Sequence, residues 1–190
     1  MPNASIMPFV SRAGEKLAHA LRKFSLSVQG LTCADFGSST GGFVDCLLQN
    51  GAVKVYAVET GYGTVDWKLR NDPRVIIMER TNAMHITIPE QVPFLSIDTS
   101  WTRLKNILPN ALKNLKNDGN IVALLKPHYE AKASMLRRGK LADMFIPAIL
   151  ESVKGEIERM EAHITAMTES PIVGEKGRNK EFLLLIRKTN

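Results

Sequence analysis

Four residues that suit a hydrophobic core poorly, Gly37, Glu59, Asp98 and Lys126, each close a short apolar run of this chain. The runs cover residues 31–36, 53–58, 93–98 and 120–126, and another follows Pro73 at 75–78. Helical patterns lie between them. Phe43, Val44, Leu47 and Leu48 mark one helix, stopped by Asn50-Gly51; residues 64–70 form a short one and residues 103–116 a longer one. Strands alternating with helices imply an α/β fold with a parallel sheet covered on both faces. Right-handed crossovers then gather the carboxyl ends of the strands along one edge, where ligands bind. The four misfit residues are expected to meet there.

The remaining segments complete one α/β layer structure. Ser11 is expected to cap a helix running to about Phe24, with Ala13, Leu17, Leu21 and Phe24 on one face. Asn117-Asp-Gly119 has turn chemistry, and residues 128–140 are basic and irregular. Residues 142–153 read as a helix with an internal Pro147, and 156–167 as a strand of mixed polarity. A Gly/Pro loop at 170–180 precedes a last strand at 182–186. A length of 190 residues fits a single domain over 1–190, with the helix at 11–24 packed on its core.

Composition narrows the function. The longest apolar runs, 121–125 and 182–186, are far too short to cross a bilayer. The first ten residues show no secretory pattern, so the cytoplasm is expected. Cys33 and Cys46 sit in apolar segments and read as buried reduced thiols, and no His/Cys spacing suggests a metal site. A net charge of +6 favours a polyanionic partner. The basic residues cluster at Arg12/Lys16/Arg22/Lys23, Lys132/Arg137/Arg138/Lys140 and Lys176/Arg178/Lys180.

The segment Asp35-Phe-Gly-Ser-Ser-Thr-Gly-Gly-Phe43 lies between a strand and a helix. Gly37 permits a tight turn there, and Gly41 and Gly42 are expected to let backbone approach a ligand. Glu59 closes the next strand, where a carboxylate can accept hydrogen bonds from both hydroxyls of an adenosine ribose. Dinucleotide enzymes share this logic. Here, however, Ser39 replaces the middle glycine of G-x-G, which suits a ligand without phosphates.

Several motifs resemble those of a known family. They are Val10-Ser-Arg-Ala-Gly-Glu-Lys-Leu17, the 35–48 segment, Lys54-Val-Tyr-Ala-Val-Glu-Thr-Gly-Tyr-Gly63 and Trp67-Lys-Leu-Arg70. Glu79-Arg-Thr-Asn-Ala83, Leu125-Lys-Pro127, Ser170-Pro171 and Glu181-Phe-Leu-Leu184 follow in the same order. Together they resemble the haemolysin A (TlyA) family, which belongs with the FtsJ-type RNA ribose 2′-O-methyltransferases. The resemblance implies a Rossmann-like methyltransferase fold, with a mostly parallel seven-stranded sheet and an antiparallel final strand. It also implies S-adenosyl-L-methionine as methyl donor, and ribose hydroxyls of RNA, above all rRNA, as acceptors. The cofactor set it implies is Asp35, Gly37, Ser38, Ser39, Thr40, Gly41, Gly42, Phe43, Glu59, Thr60, Asn82 and Asp98. Members usually carry a small RNA-binding domain ahead of the first motif, whereas this sequence opens almost at that motif. The glycine-rich loop that follows Lys-Pro-Gln-Phe-Glu in the family is here Lys126-Pro-His-Tyr-Glu130 and then 131–140.

FtsJ-type enzymes also resemble one another in a Lys-Asp-Lys-Glu set, for which Lys16, Asp98, Lys126 and Glu181 are the candidates. A ribose hydroxyl is a poor nucleophile and must be aligned with the methyl group at about 3 Å. Lys126 can act as general base, with Asp98 and Glu181 orienting the lysines and offsetting the sulfonium charge. Burial and the Lys16 cation favour a neutral amine at Lys126, nearby carboxylates favour the ammonium, and the sequence leaves that balance open. Arg12, Arg137 and Arg138 are candidate phosphate contacts, and His128, Tyr129 and Trp101 candidates for stacking on a splayed base. A non-catalytic RNA-binding or assembly factor, and a methyltransferase acting on another RNA or a small hydroxylated acceptor, are the competing readings. A membrane-active protein finds no amphipathic basic helix to support it.

Overall fold

The central strands of this protein carry no polar face because helices cover both sides of the sheet. In β5, Ile121, Ala123 and Leu125 pack into one core cluster, while Val122 and Leu124 pack into the other. A continuous apolar run is therefore what alternation looks like when both faces are buried. The computed structural model describes residues 8–100, 102–174 and 178–189. Trp101 and Lys176 lie outside the described residues.

In chain order the elements are α1 (Ala13–Lys23), β1 (Thr32–Phe36), α2 (Gly42–Gln49), β2 (Lys54–Val58), α3 (Trp67–Arg70) and β3 (Val75–Met78). Then come β4 (Val92–Ile97), α4 (Leu104–Asn114), β5 (Leu115–Leu125) and α5 (Pro127–Glu130). A hairpin of β6 (Leu136–Arg137) and β7 (Lys140–Leu141) follows, and then α6 (Ile146–Glu158), β8 (Ala162–Glu169) and β9 (Phe182–Lys188). The seven-stranded sheet has the order β3-β2-β1-β4-β5-β9-β8. Strands β1 to β5 pair in parallel, and β9 runs antiparallel to both β5 and β8. The fold is thus the Rossmann-like arrangement expected, with the final strand reversed. The chain moves outward from β1 through β3 and returns to β4 on the other side of β1. That reversal opens a crevice at the carboxyl ends of β1 and β4, where open α/β sheets take ligands.

One face is covered by α1 and α2, through Leu17, Leu21, Phe43, Val44 and Leu47; the other by α4 and α6, through Ile107, Leu108, Ile149 and Val153. Both cysteines are buried and free, and burial pushes each thiol up to about 12, so they are inert packing groups. Among the described residues no helix is long and apolar enough to cross a membrane.

Several local expectations need correction. Arg12, not Ser11, occupies the N-cap of α1, and no side chain caps it. Ser11 instead supplies its carbonyl to the Gly14 N–H and lays its hydroxyl toward Gly42. The short helix begins at Trp67, where the Asp66 carboxylate accepts the Lys68 N–H at 2.8 Å. Residues 117–119 do not break β5. Val92 pairs with Leu115 and Phe94 with Asn120, so three additional residues bulge out within one strand. Pro147 lies in the first turn of α6, where a missing N–H costs nothing, and that helix continues to Glu158. The strand expected from residue 156 accordingly starts at Ala162. The segment after Lys126 holds α5, a 3₁₀ turn and the β6–β7 hairpin.

Candidate active site

Two ion pairs face one pocket at the carboxyl edge of the sheet. Lys16 Nζ, on α1, donates to Glu181 Oε2 at 2.6 Å, and both side chains are buried. Lys126 Nζ, just past β5, donates to Asp98 Oδ1 at 2.6 Å and to the Thr99 carbonyl at 3.3 Å. Because β9 is antiparallel, its start lies at the edge where β4 and β5 end, and Glu181 meets the other three there. The pocket measures about 410 Å³, and all four residues line it with Arg12, Gly37, Ser39, Phe43, His128 and Tyr129. Ser38 and Thr40 also line it.

A second hollow of about 340 Å³ shares Gly37, Ser39, Asp98 and Ser100 with the first. Its walls include Glu59, Thr60, Thr81 and Asn82, and among the described residues that line it there is no lysine or arginine. The Glu59 carboxylate is held in place by the N–H of Ser39 to Oε2 and of Gly61 to Oε1, each at 2.7 Å. Oε1 also accepts the Thr60 hydroxyl at 3.2 Å, so the lone pair left for a further donor is on Oε2. Asn82 Oδ1 accepts the Met84 N–H at 2.9 Å, which fixes the loop beneath the hollow.

The glycines act differently from one another. Gly37 has φ 88°, and a Cβ there would run into the Asp98 carbonyl, so glycine lets the loop touch the end of β4. Gly41 has φ 102° and holds the N-cap of α2 against Leu69. A Cβ on Gly42 would overlap Ser11 Oγ and crowd the Gly14 nitrogen. Gly41 and Gly42 therefore have packing reasons to be glycine and line neither hollow, which corrects the expectation that they let backbone approach a ligand. Asp35 is corrected too. It is fully buried behind the loop and lines neither hollow; Ser96 Oγ donates to its Oδ1 at 2.6 Å. Burial, reinforced by the charges of Asp98 and Glu59 and opposed by the hydroxyls of Ser96 and Ser38, pushes its carboxyl up to about 7.

Residues 9–188 match the family model of the FtsJ-like methyltransferases. The chain belongs to that family. Among relatives of this FtsJ-like chain, YqxC of Bacillus subtilis is 42% identical over 93% of it. The 16S/23S rRNA (cytidine-2'-O)-methyltransferase TlyA of Mycobacterium tuberculosis is 37% identical over 96% of it. The chain spans 64% of YqxC and 70% of TlyA. A Streptococcus thermophilus structure described as a hemolysin superposes with a TM-score of 0.93 at 38% identity, covering 98% of this chain and 70% of that one.

The other expected residues divide between pocket and surface. Arg12 stands at the mouth of the larger pocket, its guanidinium donating to the Val173 carbonyl at 3.0 Å. His128 lines the same pocket; burial first, and then the Lys126 charge, hold its imidazole below the ordinary histidine range. It therefore meets a ligand uncharged at neutral pH, as a donor–acceptor group and not as a phosphate counterion. Arg137 and Arg138 lie outside both hollows, exposed on the β6–β7 hairpin. Sequence reasoning missed Gly174, Ser100 and Thr81 as lining residues, because small residues in loops carry no signature without the fold. Glycine at 174 has a clear cause: a Cβ there would sit 2.8 Å from Glu181 Oε1.

Proposed function

We propose that this domain transfers a methyl group from S-adenosyl-L-methionine to a ribose 2′-hydroxyl of RNA, with rRNA as substrate. The observation that carries this reading is the pair of lysine–carboxylate contacts, Lys126–Asp98 and Lys16–Glu181, in one pocket that adjoins a hollow walled by carboxylate and, among the described residues, free of cations. The hollow fits a nucleoside without phosphates. Glu59 Oε2 has a lone pair for one ribose hydroxyl, Oε1 takes the other in place of the Thr60 hydroxyl, and Asp98, on the wall shared by the two hollows, offsets a positive charge. A dinucleotide's pyrophosphate finds no counterion among the described residues there. When bound, the cofactor supplies an electrophilic methyl group on a cationic sulfur.

The protein's own groups then do three things. Asp98 and the Thr99 carbonyl fix Lys126 Nζ at the pocket floor. Lys126 orients the acceptor hydroxyl and, once its ammonium has released a proton to solvent, would take the hydroxyl proton as the methyl group is transferred to the oxygen. Lys16, locked to Glu181, contributes positive charge that favours the developing alkoxide. Arg12 at the mouth and Arg137 and Arg138 on the hairpin contact phosphates, and neutral His128 with Tyr129 contacts the acceptor nucleotide. TlyA of M. tuberculosis, named as a 16S/23S rRNA (cytidine-2'-O)-methyltransferase, supports RNA as the acceptor. This reading places the protein in the cytoplasm, with ribosomal RNA as its partner.

Single-turnover transfer of labelled methyl to rRNA, with ribose methylation mapped on the product, tests this. Lys126→Met is expected to lower the rate about 10²–10⁴-fold, the usual contribution of general-base catalysis. Cofactor affinity should hold, because the lost interaction belongs to the transition state. A wild type that methylates no RNA, or a Lys126→Met variant that matches it, overturns the assignment.

A further inference from the structure

The β6–β7 hairpin is too small to hold itself. Its ladder consists of two residue pairs, Leu136 with Leu141 and Arg137 with Lys140, and isolated two-stranded hairpins are marginal even when longer. Arg138 and Gly139 form its two-residue turn with φ 49° and 74°, positive at both positions, as the tightest hairpin turns require. The tip therefore carries Arg137, Arg138 and Lys140, all exposed, and among the described residues none of the three is paired with a carboxylate.

One buried side chain ties this tip to the pocket. Asn179 is 4% exposed. Its Oδ1 accepts the Leu141 N–H and its Nδ2 donates to the Gly139 carbonyl, each at 2.9 Å, so a single amide grips the hairpin from turn to second strand. The Asn179 carbonyl accepts the Gly174 N–H at 3.0 Å. Gly174 packs against the Glu181 carboxylate, and Gly174 and Glu181 both line the pocket with Lys16. The amide that grips the basic tip is thus two residues from a member of the ion pair.

We propose that Asn179 is a positioning residue for the RNA substrate. It holds the β6–β7 hairpin as a rigid basic prong, so that Arg137, Arg138 and Lys140 meet the backbone of the strand whose ribose enters the pocket. This rests on the reading of the acceptor as RNA. Three cations on a tether that wandered would have to be ordered at each binding event, which weakens association; cations fixed in advance avoid that loss. Asn179 touches no reacting atom, so its effect falls on RNA binding and not on the chemical step.

The test combines RNA binding, by fluorescence anisotropy of a labelled single-stranded oligonucleotide across a salt series, with turnover on rRNA. Asn179→Ala is expected to weaken RNA binding about tenfold, in keeping with two lost hydrogen bonds and a freed tip. The salt slope should flatten toward that of Arg137→Ala/Arg138→Ala. KM for RNA should rise in parallel, with kcat and cofactor affinity within about twofold of wild type. The triple variant should bind no more weakly than the double arginine variant. Asn179→Ser, which keeps a hydroxyl in place of the amide and adds no charge, should fall between, and it carries the comparison if Asn179→Ala does not fold. Wild-type RNA affinity in these variants, or an equal added loss in the background lacking both arginines, overturns the proposal. RNA binding without any methyl transfer by the wild type would instead sink the proposed chemistry and leave the hairpin comparison readable.

Discussion

Asp35 shows how one residue can serve a site without touching it. In register β1 sets it beside Ala57 and Ser96, inside the sheet, and Ser96 satisfies Oδ1 while Oδ2 is buried without a partner. A carboxylate in that position is costly, which is why burial raises it to about 7. The folded state therefore keeps a proton that the unfolded chain releases near the ordinary aspartate value. Between about pH 4 and pH 7 the native state binds the extra proton, so this group's contribution to stability declines as pH rises through that window and is level above it. Asp35→Asn cannot ionise. Its stability relative to wild type should climb by up to a few kcal/mol across that window and then stay flat. Denaturant midpoints of both proteins from pH 4.5 to 8 check this, and parallel curves would show that Asp35 does not titrate in the fold. The sequence placed Asp35 beside the loop, but not behind it. A period-two strand gives a residue's face, whereas the choice between ligand and core depends on which neighbour, here Ser96, arrives from another strand.

At the scale of elements, the glycine loop joins two jobs that the sequence presented as one. Gly37 brings the turn onto Asp98, while Gly42 lets α2 begin against the start of α1, which carries Lys16 into the pocket. Gly42→Ala should force Ser11 and Gly14 apart and cost about 1–3 kcal/mol, the range for overpacking a tight contact. Turnover should fall with it as Lys16 shifts, while Gly155→Ala tests glycine loss in a helix at an ordinary φ where the nearest atom to a Cβ lies 3.9 Å away. Thermal melts paired with methyl transfer separate the two, and a Gly42→Ala protein that is as stable and active as wild type removes the close packing from the argument. The elements themselves were legible wherever one force dominated. The apolar runs gave β1 to β5 because burial on both faces leaves no other composition. Boundaries failed where two forces competed. Residues 117–119 have turn chemistry, yet pairing of Leu115 with Val92 carries the strand through them as a bulge. Pro147 reads as a break and is an N-terminal residue of α6, where the missing N–H has no helical partner to lose.

Across the whole molecule, charge is divided between the two hollows in a way no single motif states. The sheet reversal at β1 and β4 sets them side by side, with carboxylates and, among the described residues, no cations lining one, and Arg12, Lys16 and Lys126 lining the other. The net charge of +6 was visible in the sequence, but its placement was not, because it depends on which strand ends converge. This division predicts that the two substrates respond differently to salt. A strand held through phosphates releases counterions when it binds, and each contact contributes roughly −0.7 to the slope of log K against log salt. With Arg12, Arg137, Arg138 and Lys140 in contact, the slope for RNA should lie near −3, about four such contributions. The cofactor bears one net positive charge, and the carboxylates that face it are partly shielded from solvent, so its affinity should change little over the same range. Calorimetry for the cofactor and anisotropy for RNA, both from about 50 to 200 mM salt, provide the comparison. A flat RNA response would mean that binding is not carried by phosphate contacts, and the basic surface would then be a solvated one. A cofactor affinity that fell as steeply as that for RNA would mean that the carboxylates facing it are open to screening by salt, and the hollow beside Glu59 would then not be the shielded site argued for.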